Sequence, residues 1–274
     1  MKINVKQMIA HIFLGVLTIV LLFPIIFAIA NSFKTLEEAT NHIWRFIPLN
    51  PTIKNYIHVF ETLPFGRITW NTFLIAFTVT IFKSLTSIIA AYAFVFFDFK
   101  GKRLLYFTLI STMFIPFTVT MIPNYITVSA LGLNDSIWGV ALPQLADALG
   151  IFLLRQSMRT IPKSFIEVAK IEKVGHLRIL SDILVPLVKP AIISTGIIFF
   201  INSWNEYVWP VLILKSKENY TLSLALQMFI SAEGGTDFTV AMAVSVITMI
   251  VPLVLYLIFQ RYIINTFALS GIKG

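Results

Sequence analysis

Lys83, Asp147 and Glu206 are isolated charges set inside long apolar runs, which makes them the first candidates for chemistry. An ionisable group in hydrocarbon is costly, and it persists where it meets a partner or lines a wet cavity. Two polar stripes accompany these charges. Asn202, Asn205, Glu206 and Trp209 fall at i, i+3, i+4 and i+7, which is one face of a helix. Thr80, Lys83, Ser84 and Ser87 repeat that spacing, and Asn124, Gln144 and Asp147 add polar atoms in other apolar runs. Amides, a carboxylate and an ammonium could line a path for a hydroxyl-rich solute, with Trp204, Tyr207 or Trp209 stacking on a ring. The same groups could instead join helix to helix, each hydrogen bond contributing about 1 kcal/mol or less. A Lys83–Asp147 or Lys83–Glu206 ion pair would then satisfy both charges.

The elements that carry these residues follow from composition. Of 274 residues, 57% are hydrophobic and only 12% are charged. Soluble domains carry roughly a quarter charged residues, so this chain cannot cover a water-facing surface. With no Cys there is neither a disulfide framework nor a thiolate metal site. A helix needs about 20 apolar residues to cross a bilayer. Six stretches qualify, near 9–30, 70–97, 104–126, 137–156, 191–214 and 238–260. Backbone groups in lipid must be satisfied within the segment, so the expected fold is an all-α membrane protein with six transmembrane helices in one domain, 1–274. The first stretch, from Ile12 to Ala30, is too long for the core of a cleaved signal. With a cytoplasmic N-terminus, the inner segments hold 14 Lys and Arg against 6 in the outer ones. The positive-inside rule therefore puts both termini in the cytoplasm, and the net charge of +8 marks an inner membrane face, not a nucleic-acid surface.

The inner segment 157–190 is too polar to span and too patterned to be a plain linker. Ser164 and Glu167 have capping-box spacing, which predicts a helix starting at Phe165. Phe165, Val168, Ala169 and Glu172 share one face, and the small Ala169 permits close approach of another protein surface. Gly175 is the expected stop. A second helical stretch runs from His176 to about Leu184 and on to Pro186, giving a helix–turn–helix on the inner membrane face.

Glu167-Val168-Ala169, followed by Ile183-Leu184-Val185-Pro186, resembles the Glu-Ala-Ala loop of ATP-binding cassette (ABC) importer permeases. The spacing agrees throughout. The departures are Val168 for Ala, Val185 for Leu, and Lys173 for the Gly that makes the turn, which leaves Gly175 to make it. Asn202-Ser203-Trp204-Asn205-Glu206-Tyr207 with Trp209-Pro210, Phe152-Leu153-Leu154-Arg155-Gln156, and the terminal Gly271-Ile272-Lys273-Gly274 are similar to the carbohydrate-uptake branch, in particular to its maltose-type second permease. The resemblance implies a type I importer transmembrane domain in a bacterial-type plasma membrane. It also implies a second permease, two ATP-binding subunits that hold ATP and Mg, and an extracytoplasmic solute-binding protein. The loop with Ser164, Phe165, Glu167, Val168, Ala169, Glu172, Gly175 and Pro186 would then couple to the ATPases. Lys83, Ser87, Asn124, Asp147, Asn202, Asn205, Glu206 and Trp209 would be candidates for the solute path. The implied solute is a sugar or oligosaccharide. Lys83 adds an anionic alternative, because glycerol-phosphate permeases of this branch are similar around it and around Phe199–Pro210, and an ammonium suits a phosphate.

No catalytic, metal or cofactor residues are expected on this chain. His11, His42, His58 and His176 are scattered, and no Gly-x-x-x-x-Gly-Lys-Ser/Thr loop is present. The competing class is an ion-gradient-driven secondary transporter. Such carriers show internal repeats and broken helices, and no repeat is visible here.

Overall fold

The computed structural model describes residues 5–230 and 238–271, with side chains as far as Tyr262. The expected cytoplasmic termini, with Lys2 and Lys273, lie outside the described residues. In chain order the main helices are α1 (Val5–Ser32), α2 (Leu36–Asn41), α3 (Lys54–Thr62), α4 (Phe65–Phe96), α5 (Lys102–Phe114), α6 (Phe117–Ala130), α7 (Ile137–Gln144) and α8 (Ala148–Met158). They continue as α9 (Ser164–Ile171), α10 (His176–Leu187), α11 (Lys189–Trp204), α12 (Val208–Ile213), α13 (Leu222–Ile230) and α14 (Phe238–Gly271). There is no strand among the described residues. The helices form two compact units, Met1–Ile68 with Leu222–Val251, and Thr69–Thr221 with Pro252–Gly274.

In the first unit, α1 is apolar all round, and its most apolar window buries nothing within the chain. The segment after it is held by three buried polar side chains. The Lys34 ammonium is fully buried and donates to Asn31 Oδ1 (2.9 Å), His42 O (2.9 Å) and Ile43 O (3.3 Å), which uses its three N–H groups. Burial pulls its pKa below the usual lysine value, against the opposing pull of Glu38. Glu38 accepts from the Leu49 and Asn50 backbone N–H at 2.6 and 3.3 Å, and the Leu49 bond above all holds its carboxyl below the usual range. Asn55 donates to Ser32 O and Lys34 O at 2.8 and 2.7 Å and accepts from Thr239 at 3.1 Å. The polar stretch after the first helix is therefore built structure.

In the second unit, α4, α8 and α11 meet where Gly150 removes a side chain. A Cβ there would lie 2.4 Å from both Phe199 Cζ and Ser87 Oγ. Several expected spans are not straight. The stretch 104–126 is broken between α5 and α6 by a 98° bend at Ile115-Pro116. Pro116 lacks an N–H and drives Ile115 out of the helical region to φ −84°, ψ 113°. The stretch 137–156 bends 44° between α7 and α8. The stretch 191–214 loses its helix at 205–207. Pro210 provides no N–H for the carbonyl of Glu206, and its ring crowds that carbonyl, which favours the break here, although Pro24, Pro123 and Pro252 sit inside continuous helices. Among the described residues three helices are long and apolar enough to cross a membrane, or up to six if each bent pair is one span.

Candidate functional site

The segment 157–190 divides its residues between the unit's core and its surface. Ile166 and Ala169 of α9 are buried against Leu154, Met158, Ile179 and Leu184. Phe165, Val168 and Ile171 stand on the outer side, 51%, 59% and 77% exposed, with Leu177 of α10 beyond them. Ala169 was expected to admit a partner; it faces inward, and its small side chain lets α9 approach its own bundle. Ile166, Ile171 and Leu177 were missed. The period of 3.6 places Phe165, Val168 and Ile171 together as readily as it places Phe165, Val168 and Ala169, and only the packing decides which side faces out. Glu167 is exposed in the first turn, where a carboxylate suits the positive end of the helix dipole.

The helix ends also differ from expectation. Lys163 already has helical dihedrals (φ −59°, ψ −26°) and occupies the N-cap without a side-chain hydrogen bond. Ser164 is thus inside the helix and caps nothing, because a cap needs extended dihedrals. At the other end Glu172 is the C-cap. Lys173 takes φ +56°, Val174 N–H donates to Ala169 O at 2.9 Å, and Lys173 N–H to Lys170 O at 3.0 Å. That pair of bonds is a Schellman closure, made by a lysine in the left-handed conformation. Gly175 has φ −69° and ψ 151°, an extended residue that any side chain could replace, so it does not make the turn. α10 follows with a π-turn over Ile179–Leu184, runs through the exposed Pro186, and meets α11 at 83°. His176 Nδ1 lies 2.8 Å from the Tyr92 hydroxyl, and its ring packs on Phe97 at 4.7 Å, tying the start of α10 to the end of α4.

The polar residues of the apolar runs separate into two sets. Lys83 Nζ pairs with Asp147 Oδ2 at 3.3 Å, both partly buried, and lies 5.4 Å from the Phe199 ring centroid. Asp147 Oδ1 accepts the Gly150 N–H at 3.0 Å, so this carboxylate also caps α8. Glu206 does not pair with Lys83. It accepts from Trp209 N–H at 3.3 Å across the helix break. Ser87 is fully buried at the Gly150 crossing. The stripe from Asn202 to Trp209 is interrupted, since Asn205 caps α11 and α12 begins at Val208. Asn202 and Asn205 remain exposed, whereas Trp209 is buried and donates from Nε1 to Gly139 O at 3.2 Å. Trp204 is equally buried and stacks on Phe200 at 5.6 Å. Of the three rings proposed to face a solute, only Tyr207 keeps accessible surface. Asn124 is half-buried on α6.

One further polar cluster ties the turn before α7 to the segment after α12. Asp135, at φ +55°, accepts from the backbone N–H of Lys215 and Ser216 at 2.8 and 2.9 Å and from the Ser216 hydroxyl. Its backbone O accepts from Asn219 at 2.6 Å. Desolvation pushes the Asp135 carboxyl up, but the hydrogen bonds from Ser216 and Lys215 outweigh it and hold the group well below the usual range. No group of three or more His, Cys, Asp or Glu able to hold a metal occurs among the described residues.

With this geometry in hand, the chain can be set beside known proteins. Residues 83–267 match the family model "Binding-protein-dependent transport system inner membrane component". The sn-glycerol-3-phosphate transport system permease protein UgpE of Yersinia pestis bv. Antiqua is 31% identical over 262 residues, 93% of each chain. Its counterpart from Brucella melitensis biotype 1 is 28% identical over 269 residues, 95% of each. A bacterial ABC transporter involved in the import of the acidic polysaccharide alginate contains a chain that superposes with TM-score 0.78 at 25% identity, covering 94% of this chain and 96% of that one. A chain in the complex of bacterial alginate ABC transporter with alginate pentasaccharide-bound periplasmic protein shares the fold, with TM-score 0.67 at 14% identity, covering 93% of both. A secondary carrier is thereby set aside, and the exposed α9 face, the restarted helix at Asn205–Tyr207 and these likenesses converge: the chain belongs to the inner membrane components of binding-protein-dependent transport systems and is a multi-pass plasma-membrane permease subunit of an ABC importer of the carbohydrate-uptake class.

Proposed function

We propose that this permease crosses the membrane six times with both termini in the cytoplasm and that α9 is its lever against separate ATP-binding subunits. One observation carries the reading. α9 is keyed into its own unit by Ile166 and Ala169 while Phe165, Val168 and Ile171 present bare apolar surface on the other side. An exposed apolar patch beside charged residues is what a partner groove covers. Keying makes the helix rigid, so a push on its outer face is passed to α8 and α11 through the Leu154, Met158 and Ala191 contacts. Glu167 would meet a basic group of the ATPase, and ATP and Mg would be held on those partners, not on this chain.

The proposed solute is a polyhydroxylated compound, either a sugar or oligosaccharide or a glycerol phosphate. The glycerol-3-phosphate relatives support the second, and the alginate importer supports the first. The path candidates that remain exposed are Asn202 and Asn205, with Asn124, Glu206 and Tyr207 half-exposed. Lys83 already has its charge balanced by Asp147, so its part is to hold α4 to the α7–α8 corner.

The decisive experiment is to replace Val168 and Ile171 by Asp in the assembled importer. ATPase co-purification and ATP-driven uptake should be lost while membrane insertion is retained. Normal uptake by either variant would refute the lever. Binding of candidate sugars and glycerol phosphates to the cognate solute-binding protein identifies the solute independently.

A further inference from the structure

A cavity of about 430 Å³ lies where the end of α4, the start of α5 and the last turn of α8 converge. That volume is in the range of small-ligand sites. Three cations line it, Lys102, Arg103 and Arg155, and the rings of Phe94, Phe99 and Tyr106 form its wall. The rings are fixed against one another, Phe94 to Tyr106 at 5.3 Å and Phe94 to Phe99 at 6.2 Å. The Arg155 guanidinium carbon lies 3.9 Å from the Tyr106 ring centroid, so the guanidinium is held flat against the ring. Its Nε is buried and has no hydrogen-bond partner. A buried donor left unmade is expensive, so the chain's own acceptors under-satisfy the guanidinium beside the cavity.

The acidic side of the cavity is weak. Lys102 Nζ donates to Phe97 O at 2.6 Å and to Asp98 Oδ1 at 3.3 Å, but the Asp98 side chain is fully exposed to solvent and screened. Arg103 and Arg155 make no ion pair among the described residues. α5 begins at Gly101 without a side-chain cap, so its positive dipole end adds to the field of the cations. Immediately beyond the basic residues, α5 exposes Leu104, Leu105 and Phe107. The surface thus changes from cationic to apolar within one turn.

We propose that this cavity binds the phosphate of an anionic phospholipid, with the acyl chains lying along Leu104, Leu105 and Phe107. Arg155 and Arg103 hold the phosphate oxygens in charge-assisted hydrogen bonds, and Phe99 and Tyr106 cover the glycerol. A free phosphate would use the same cations, but Leu104, Leu105 and Phe107 belong to an apolar stretch suited to acyl chains, so the cavity opens where a lipid headgroup meets them, which is why a lipid is the better occupant. The site requires only that the ends of α4, α5 and α8 lie at a membrane surface. It is separate from the α9 lever, whose failure in the test above would leave it standing.

The test uses the purified importer complex in detergent, titrated with phosphatidylglycerol or phosphatidylcholine and read by native mass spectrometry. Phosphatidylglycerol should be retained preferentially. Arg103→Gln and Arg155→Gln should each weaken its retention about five-fold, the effect of one surface cation. Arg103 is exposed, so its variant keeps the fold, and Arg155→Lys should recover part of the loss by restoring charge without the flat stack. Excess inorganic phosphate should fail to displace the lipid. Equal retention of the two lipids, unchanged retention in both Gln variants, or displacement by inorganic phosphate overturns the proposal, the last by assigning the site to a soluble anion.

Discussion

Replacing Lys173 by Gly and Gly175 by Ala tests, at two neighbouring positions, which residue closes the α9–α10 turn. Lys173 sits at φ +56°, a conformation that costs an ordinary side chain about 1–2 kcal/mol. Glycine adopts it freely but loses more backbone entropy on folding, about 0.5–1 kcal/mol relative to alanine. Lys173→Gly should therefore leave the turn more stable by about 0.5–1 kcal/mol. Gly175 is extended, and a Cβ there meets nothing within 4 Å. Gly175→Ala should add about 0.4–1 kcal/mol by narrowing the unfolded ensemble. Lys173→Val, a β-branched residue forced to positive φ, should open the turn. The reporter is hydrogen exchange at the Val174 amide, which donates to Ala169 O. Exchange should slow about two- to five-fold in the first two variants and accelerate in the third, since 1.4 kcal/mol is about ten-fold. Faster exchange in Gly175→Ala, with Lys173→Gly unchanged, would show that the glycine makes the turn after all and would sink the assignment.

Other outcomes follow from the packing. Ala169→Leu adds volume to a closed core and should lower stability by about 1–3 kcal/mol in thermal unfolding, whereas Val168→Asp on the outer face should leave thermal stability unchanged. Gly150→Ala places a Cβ 2.4 Å from Phe199 and Ser87 and should be similarly destabilising; a wild-type melting temperature would contradict the close α4–α8–α11 crossing. Lys83→Met should destabilise more than the double variant Lys83→Met with Asp147→Asn, with a coupling of about 1–2 kcal/mol in a double-mutant cycle, and additivity would mean that the pair does not form. Asp135 is a depressed carboxylate, so the stability it adds is present above the ordinary aspartate pKa and is lost only as the pH falls well below it. Asp135→Asn should lose that contribution already at neutral pH, which a melting-temperature series against pH would show.

The sequence alone established the chemistry of the solvent. Scarce charge and long apolar runs require lipid-embedded helices, because those quantities depend on composition and order and not on packing. The Glu167-Val168-Ala169 and Asn202–Pro210 motifs likewise identified the importer family, but the breaks at Pro116 and Pro210 were not legible, because Pro24, Pro123 and Pro252 leave their helices continuous. Tertiary structure alone decided which face of each helix is spent on the core. A helical period groups side chains but does not say which group faces inward. Hence the helical period alone offers Ala169, Ser87 and Trp209 as surfaces for partners or solute, whereas all three are buried. The same limit hid the Schellman turn at Lys173. Left-handed lysine is disfavoured locally, and it is imposed by where α9 and α10 must pack, which no local preference encodes. The Lys83–Asp147 pair was one of two partners the spacing allowed, and the choice rests on a contact across 64 residues that only the folded chain brings within 3.3 Å.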